Sequence, residues 1–164
     1  MNYKIRDFCK IVNGSTPSTL KPEYWDGDIS WITPKDMSFL TGRYIASGQR
    51  NITEEGYRSC STTLLPEGTV LLTSRAPIGY LGISKGTVCT NQGFKSLICD
   101  PTKAIPEFLY YLLSTKVNYL QSIAGGSTFK ELSKEQIGSM EVDLPPLRVQ
   151  HHIVDATRRA KYEA

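Results

Sequence analysis

Arginine, glutamine and asparagine can each meet a base edge with paired hydrogen bonds in the major groove. Phosphate oxygens are instead met by lysine, serine, threonine and accessible main-chain amides. Both sets occur in this chain, in separate stretches. Between Met37 and Thr53 there is no carboxylate, and Arg43, Tyr44, Gln49, Arg50 and Asn51 stand among small residues, with Lys35 just upstream. That composition suits a base-reading loop and equally suits a solvated one. Gly126-Ser127-Thr128-Phe129-Lys130 offers hydroxyls, a cation and amides freed by glycine, which suits phosphate. The competing reading is a plain turn into a short helix capped by Ser133, with Gln136 three residues on. A third stretch, between Glu67 and Asp100, contains no acidic residue but does contain Arg75, Lys85 and Lys95. Arg75 can bind a phosphate or pair with a carboxylate, and the sequence leaves both open.

Other chemistries fare worse. A nuclease that holds its metal through a carboxylate two positions before a lysine finds no such pair among the 16 acidic residues. Cys9, Cys60, Cys89 and Cys99 form no C-x-x-C pair, and His151 and His152 are adjacent rather than at helical ligand spacing, so no metal site is expected. Asn91-Gln92-Gly93-Phe94 shares its first and last residues with the Asn-Pro-Pro-Phe motif of DNA amino-methyltransferases. It lacks both prolines and follows no glycine-rich cofactor loop, so it reads as structural. No catalytic residue and no cofactor are expected.

The elements that must position these residues are short. Thr69–Leu72 and Tyr80–Ile83 are apolar runs bounded by Gly68, the Ala76-Pro77-Ile78-Gly79 turn and Gly86, and they read as strands joined by tight turns. Trp25 and Trp31 flank Asp26-Gly27-Asp28, a hairpin-like turn that brings the two rings close. Either ring can stack on a base, but core packing is the favoured reading. Pro106 suits a first helical position, and Phe108, Leu109, Leu112, Leu113, Val117, Leu120 and Ala124 predict one amphipathic helix over 106–124. Met140–Leu144 reads as a last strand. Beyond Pro145-Pro146 a final helix has Leu147, Val154 and Lys161 at heptad spacing, with Gln150-His151 and Thr157-Arg158 in polar positions.

Taken in order, Thr16-Pro17-Ser18, Tyr24-Trp25-Asp26-Gly27-Asp28-Ile29, Trp31-Ile32-Thr33-Pro34-Lys35-Asp36, Leu65-Pro66-Glu67-Gly68-Thr69-Val70, Ser74-Arg75-Ala76-Pro77-Ile78-Gly79, Thr90-Asn91-Gln92-Gly93-Phe94, Gly126-Ser127-Thr128-Phe129-Lys130-Glu131 and Leu144-Pro145-Pro146-Leu147 form a recognisable series. The series resembles the target recognition domain of type I restriction-modification specificity subunits (HsdS). The resemblance covers residues 10 to 155. It implies an α/β (α+β) fold: a twisted mixed sheet with packed helices and a projecting C-terminal helix. It also implies a non-catalytic reader of one half of a bipartite target in double-stranded DNA, directing methylation and restriction by HsdM-like and HsdR-like subunits. The alternatives are a recognition domain from a fused restriction-methyltransferase polypeptide, or a small DNA-acting enzyme.

On this reading residues 1–145 are the recognition domain and 146–164 begin a docking helix. With no internal repeat, the chain is expected to be a fragment or a half-subunit that forms a homodimer or pairs with a second recognition domain. Lys35, Arg43, Tyr44, Gln49, Arg50, Arg75, Lys85, Lys95, Ser127, Thr128 and Lys130 are the expected DNA contacts. Leu147, Ile153 and Val154 are the expected docking stripe, and removal of 148–164 is expected to leave a folded domain. The bulk numbers agree with a soluble globular protein. The 164 residues suffice for a core without staples, 40% are hydrophobic, and the formal charge of +3 is a weak push toward polyanions. No stretch approaches the roughly 18 apolar residues of a membrane span, and no signal segment opens the chain, so a cytoplasmic location is expected.

Overall fold

Glycine and proline interrupt the chain every few residues, and the elements between them are correspondingly brief. The computed structural model describes the backbone of residues 1–163 and side chains as far as Arg158. Its strands are β1 (Asn2–Lys4), β2 (Cys9–Asn13), β3 (Trp25–Ile32), β4 (Tyr44–Ile45), β5 (Arg50–Ile52), β6 (Val70–Ser74), β7 (Ile78–Ser84), β8 (Cys89–Thr90), β9 (Lys95–Cys99) and β10 (Glu141–Asp143). The helices are α1 (Pro34–Ser38), α2 (Glu54–Ser59), α3 (Pro106–Ser114), α4 (Val117–Ile123), α5 (Lys134–Gly138) and α6 (Leu147–Glu163).

The α+β class is as expected, but the strands divide among three sheets. A five-stranded sheet runs β2-β9-β6-β7-β4, a three-stranded one β5-β3-β8, and β1 pairs with β10. Both larger sheets are mixed: β4 lies parallel to β7 and β8 parallel to β3, while the other pairs are antiparallel. Alternation along β6 explains the layering. Val70 and Leu72 point into the core shared with α3, α4 and α6, whereas Leu71 points into a second core with Ile32, Met37 and Phe94. Each of these leucines is fully buried and contributes about 2 to 3 kcal/mol. The three-stranded sheet builds a third, smaller core from Trp25, Trp31, Ile52 and Cys89.

Both tryptophans are buried and meet edge to face with centroids 5.0 Å apart. They are close, but no hairpin brings them together. Both lie on β3, whose pairing with β5 slips between Trp25 and Ile29, with Asp26 at φ +65°.

The helix expected over 106–124 is two helices. Pro106 opens α3 in its first turn, but Thr115 and Lys116 close the helix with amide bonds back to Leu112 and Leu113. The break lets α4 meet β7 at close range. A Cβ on Gly79 would stand 2.6 Å from Val117, and Gln121 donates to the Ile78 carbonyl at 3.0 Å.

The last helix does not project from its start. Gln150, expected on a polar face, is fully buried. Its Oε1 accepts from the Ile105 amide at 3.0 Å, and its Nε2 donates to the Lys103 and Pro145 carbonyls at 2.8 Å each. Val154, expected in the docking stripe, belongs to the main core and is closed to a partner, because α6 lies against α3 there. Leu147 and Ile153 are half-buried. The expectation that removal of 148–164 spares the fold is therefore corrected, since that cut takes both Gln150 and Val154. The Lys161 side chain lies outside the described residues.

At the opposite end of the sequence, β1 pairs antiparallel with β10, Asn2 facing Asp143. The Leu144 amide donates to the Met1 carbonyl at 3.0 Å, and the Met1 ammonium lies 3.1 Å from the Asp143 carboxylate. Among the described residues no helix is long and apolar enough to cross a membrane.

Candidate nucleic-acid interface

Strand β6 ends at Ser74 and β7 begins at Ile78, so Arg75, Ala76 and Pro77 form the turn at one end of the central sheet. Residues 125–131 fold against that turn. Gly125 and Glu131 exchange both backbone hydrogen bonds, at 3.2 and 3.0 Å, and the Leu132 amide donates to the Ser74 carbonyl at 2.9 Å. Gly126 sits at φ +101°, where a Cβ would come within 2.3 Å of the Phe129 carbonyl, so glycine is required for the chain to reverse here. Between turn and hairpin opens a crevice of about 700 Å³ whose walls include Arg75, Ser127, Thr128, Phe129, Lys130 and Glu131.

Electrostatics fix this crevice to the sheet. Lys95, expected among the DNA contacts, is buried at 8% exposure. Its ammonium lies 3.4 Å from Glu131 Oε1 and 3.5 Å from Ser74 Oγ. This corrects the reading of Lys95: β9 is interior, and an ammonium taken out of water at a cost of several kcal/mol needs such a counter-ion. Arg75, for which phosphate and carboxylate were both open, stands 3.9 Å from Glu131 Oε2 with its side chain 41% exposed. Its contact is long, so donors remain free. Glu131 is the one carboxylate lining the crevice, and two cations share it. Exposed Lys130 adds a further positive charge beside the hydroxyls of Ser127 and Thr128.

The stretch around Arg43 and Arg50 is not one loop, because β4 joins the five-stranded sheet and β5 the three-stranded one. Gln49 is tied to α1, and Arg50 to β3. Thr33 caps that helix in a reciprocal box with Asp36, whose other oxygen accepts from the Gln49 amide at 3.0 Å. A Cβ on Gly48 would lie 2.2 Å from the same carboxylate. Lys35 is exposed on α1, and the Arg50 guanidinium lies 4.0 Å from the Trp25 ring centroid, a cation–π stack made by an exposed residue. Arg43 instead stacks on Tyr110 at 5.8 Å and lines a crevice of about 390 Å³ against α3 and α6. Tyr44 is exposed beside it on β4, and Lys85, whose amide donates to the Ile45 carbonyl, stands at the same sheet edge. The expected contacts thus form three groups, with Arg75, Ser127, Thr128 and Lys130 at one crevice.

Residues 1–158 match the family described as type I restriction modification DNA specificity domain. The chain belongs to that family. It is 48% identical over 152 residues to the MjaIX specificity subunit of Methanocaldococcus jannaschii, a match covering 92% of this chain and 35% of the relative. With the EcoR124I/EcoR124II specificity subunit of Escherichia coli the identity is 27% over 154 residues, covering 89% of this chain and 37% of that one. The chain therefore spans between a third and two-fifths of the length of these curated relatives. Among solved structures, a chain of a type I R-M system studied for complex assembly and conformational transition superposes with TM-score 0.81 at 18% identity, covering 99% of this chain and 38% of the other. The HsdS subunit from Thermoanaerobacter tengcongensis gives TM-score 0.78 at 17% identity, with 99% and 37% coverage. These two likenesses show a shared fold.

Within the specificity domain Cys9 and Cys89 are buried. Cys9 and Cys99 face each other across β2 and β9 with sulfurs 3.9 Å apart, and this contact together with burial holds the Cys9 thiol far above its ordinary pKa. Burial pushes Cys89 up to about 11. No group of three His, Cys, Asp or Glu side chains converges among the described residues. Sequence reasoning missed Asp36, Glu131 and Gln150 as organisers of the surface. Only Asp36 carried a local signal, the Thr-x-x-Asp capping pattern. The partners of the Glu131 and Gln150 side chains lie at least 36 positions away, apart from the Pro145 carbonyl.

Proposed function

We propose that this specificity domain reads one half of a bipartite duplex target and directs methylation and restriction by partner subunits, without catalysis of its own. The observation that carries the reading is the crevice where Arg75, Ser127, Thr128 and Lys130 converge and the single carboxylate is already paired. Such a surface holds phosphates; Lys35, Gln49 and Arg50 are then the base readers, displayed on α1 and on the Trp25 ring. Arg43, Tyr44 and Lys85, at the sheet edge near α3 and α6, make flanking contacts. Leu147 and Ile153 remain for docking an HsdM-like methylation subunit, with an HsdR-like restriction subunit completing the assembly. A second recognition domain, from another copy or another chain, reads the other half, and the site of action is the cytoplasm.

Two measurements test this. Titrated alone onto a labelled duplex, the chain is expected to bind weakly and to lose affinity steeply with added salt, because one mildly basic module makes few phosphate contacts. Affinity unchanged between two ionic strengths contradicts the electrostatic argument. In the assembled protein, Arg50→Ala is expected to cost about 1 to 3 kcal/mol on the target and relax discrimination, whereas Lys130→Ala weakens all sequences alike and lowers the salt slope by about one unit. Competition between target and scrambled duplexes reads both. A change of sequence preference in Lys130→Ala, with uniform loss in Arg50→Ala, would reverse the two roles.

A further inference from the structure

The hairpin tip carries a side chain that phosphate binding does not explain. Phe129 is 88% exposed, although an aromatic ring is among the largest apolar surfaces a chain can leave in water. Its support is firm. The strand ends beneath it are joined by the paired Gly125–Glu131 bonds, and Glu131 is held in turn by Lys95 and Arg75. Ser127 and Thr128 precede it, and Lys130 follows.

We propose that Phe129 is a wedge that inserts at a base step of the bound duplex, while Arg75, Lys130 and the two hydroxyls hold the flanking phosphates. This inference rests on the DNA-reading function proposed above. A wedge must present a bare apolar ring, stand on a base stiff enough to bear the load of unstacking, and have backbone-holding groups at its sides. All three are present at this hairpin. The other occupant of such a ring is an apolar pocket on a protein partner. Charge disfavours it: the crevice keeps a positive surplus after Glu131 is paired, from Arg75 and Lys130, which complements a polyanion. The wedge supplies a kind of selectivity that Arg50 does not. Unstacking is least costly at flexible pyrimidine–purine steps, so the protein favours sequences that place such a step under Phe129 without hydrogen-bonding to it.

The test uses the full protein assembled with its methylation subunits. The probe is a synthetic duplex carrying the target read from the host methylome, with 2-aminopurine placed at each position in turn. Wild-type protein is expected to raise fluorescence several-fold at one step. Phe129→Ala abolishes that rise and binds about tenfold more weakly, and a mismatch at the same step restores most of the loss. Phe129→Leu, still a wedge, keeps the rise. The ring is exposed, so the Phe129 variants are expected to melt as wild type does. Phe129→Ala with unchanged fluorescence and affinity overturns the wedge and leaves the DNA-reading function standing. So does a Phe129→Ala protein that fails to assemble with the methylation subunits while contacting DNA normally, which makes the ring a protein-docking group. Wild-type assembly that binds no duplex overturns the reading beneath it.

Discussion

Gln150→Leu is expected to remove about 4 kcal/mol of folding stability, a large share of the 5 to 15 kcal/mol typical of a domain. Leucine fills most of the space, so the loss is not one of volume. It leaves the Ile105 amide and the Lys103 and Pro145 carbonyls, which are part-buried, without their side-chain partner, at about 1 to 3 kcal/mol for each group that water cannot reach. Urea unfolding should show a lower midpoint with an unchanged slope, and hydrogen exchange should show the Ile105 amide and the first turns of α6 opening together. A loss below about 1 kcal/mol would mean that water replaces the amide and that Gln150 is not the clamp.

Glu131→Ala is expected to lower DNA affinity of the assembled protein about 100-fold, about 2.7 kcal/mol, even though the variant carries one more net positive charge. Charge counting alone forecasts tighter binding. The structural argument forecasts the reverse, because Glu131 anchors the hairpin and removing it leaves the Lys95 ammonium, with 10% of its side chain exposed, lacking a counter-ion. Breaking a buried pair costs about 3 to 5 kcal/mol, and the 43% exposure of Glu131 discounts this to about 2 kcal/mol of folding stability. Replacing both members, Lys95→Met with Glu131→Leu, should recover the stability without recovering the affinity. Tighter binding by Glu131→Ala, read by fluorescence anisotropy at fixed salt, would show that presentation of the hairpin matters less than total charge.

The parts of this molecule legible from the sequence are those with local causes. Pro106 and the apolar spacing that follows it predict helix, the Ser133–Gln136 cap, the competing reading of its loop, does form, and the apolar strands around residues 70 and 80 pair as a hairpin. Periodicity fails at Thr115, because a helix that restarts after a two-residue break can keep its apolar spacing while its axis turns. It also misses β3: the stretch from Trp25 to Trp31 reads as a hairpin-like turn, whereas the chain there is one strand whose pairing slips after Trp25, with Asp26 at positive φ. Lys95 shows the limit for the interface. A lysine in an acid-free run looks like a phosphate contact until its carboxylate arrives from 36 residues away. Val154 shows it for docking, since an apolar heptad position reads the same whether a partner or the domain itself covers it.

The β1–β10 pairing sets how the domain bears on its neighbours in a longer polypeptide. Asn2 and Asp143 stand one strand spacing apart, about 5 Å, so everything between them is a closed excursion that leaves and returns at a single base. Chain ahead of Asn2 therefore begins beside the strand from which the chain runs on into α6. Exchanging the residues around Arg50, or the whole hairpin at Phe129, alters other parts of the excursion and leaves the β1–β10 pairing at its base in place.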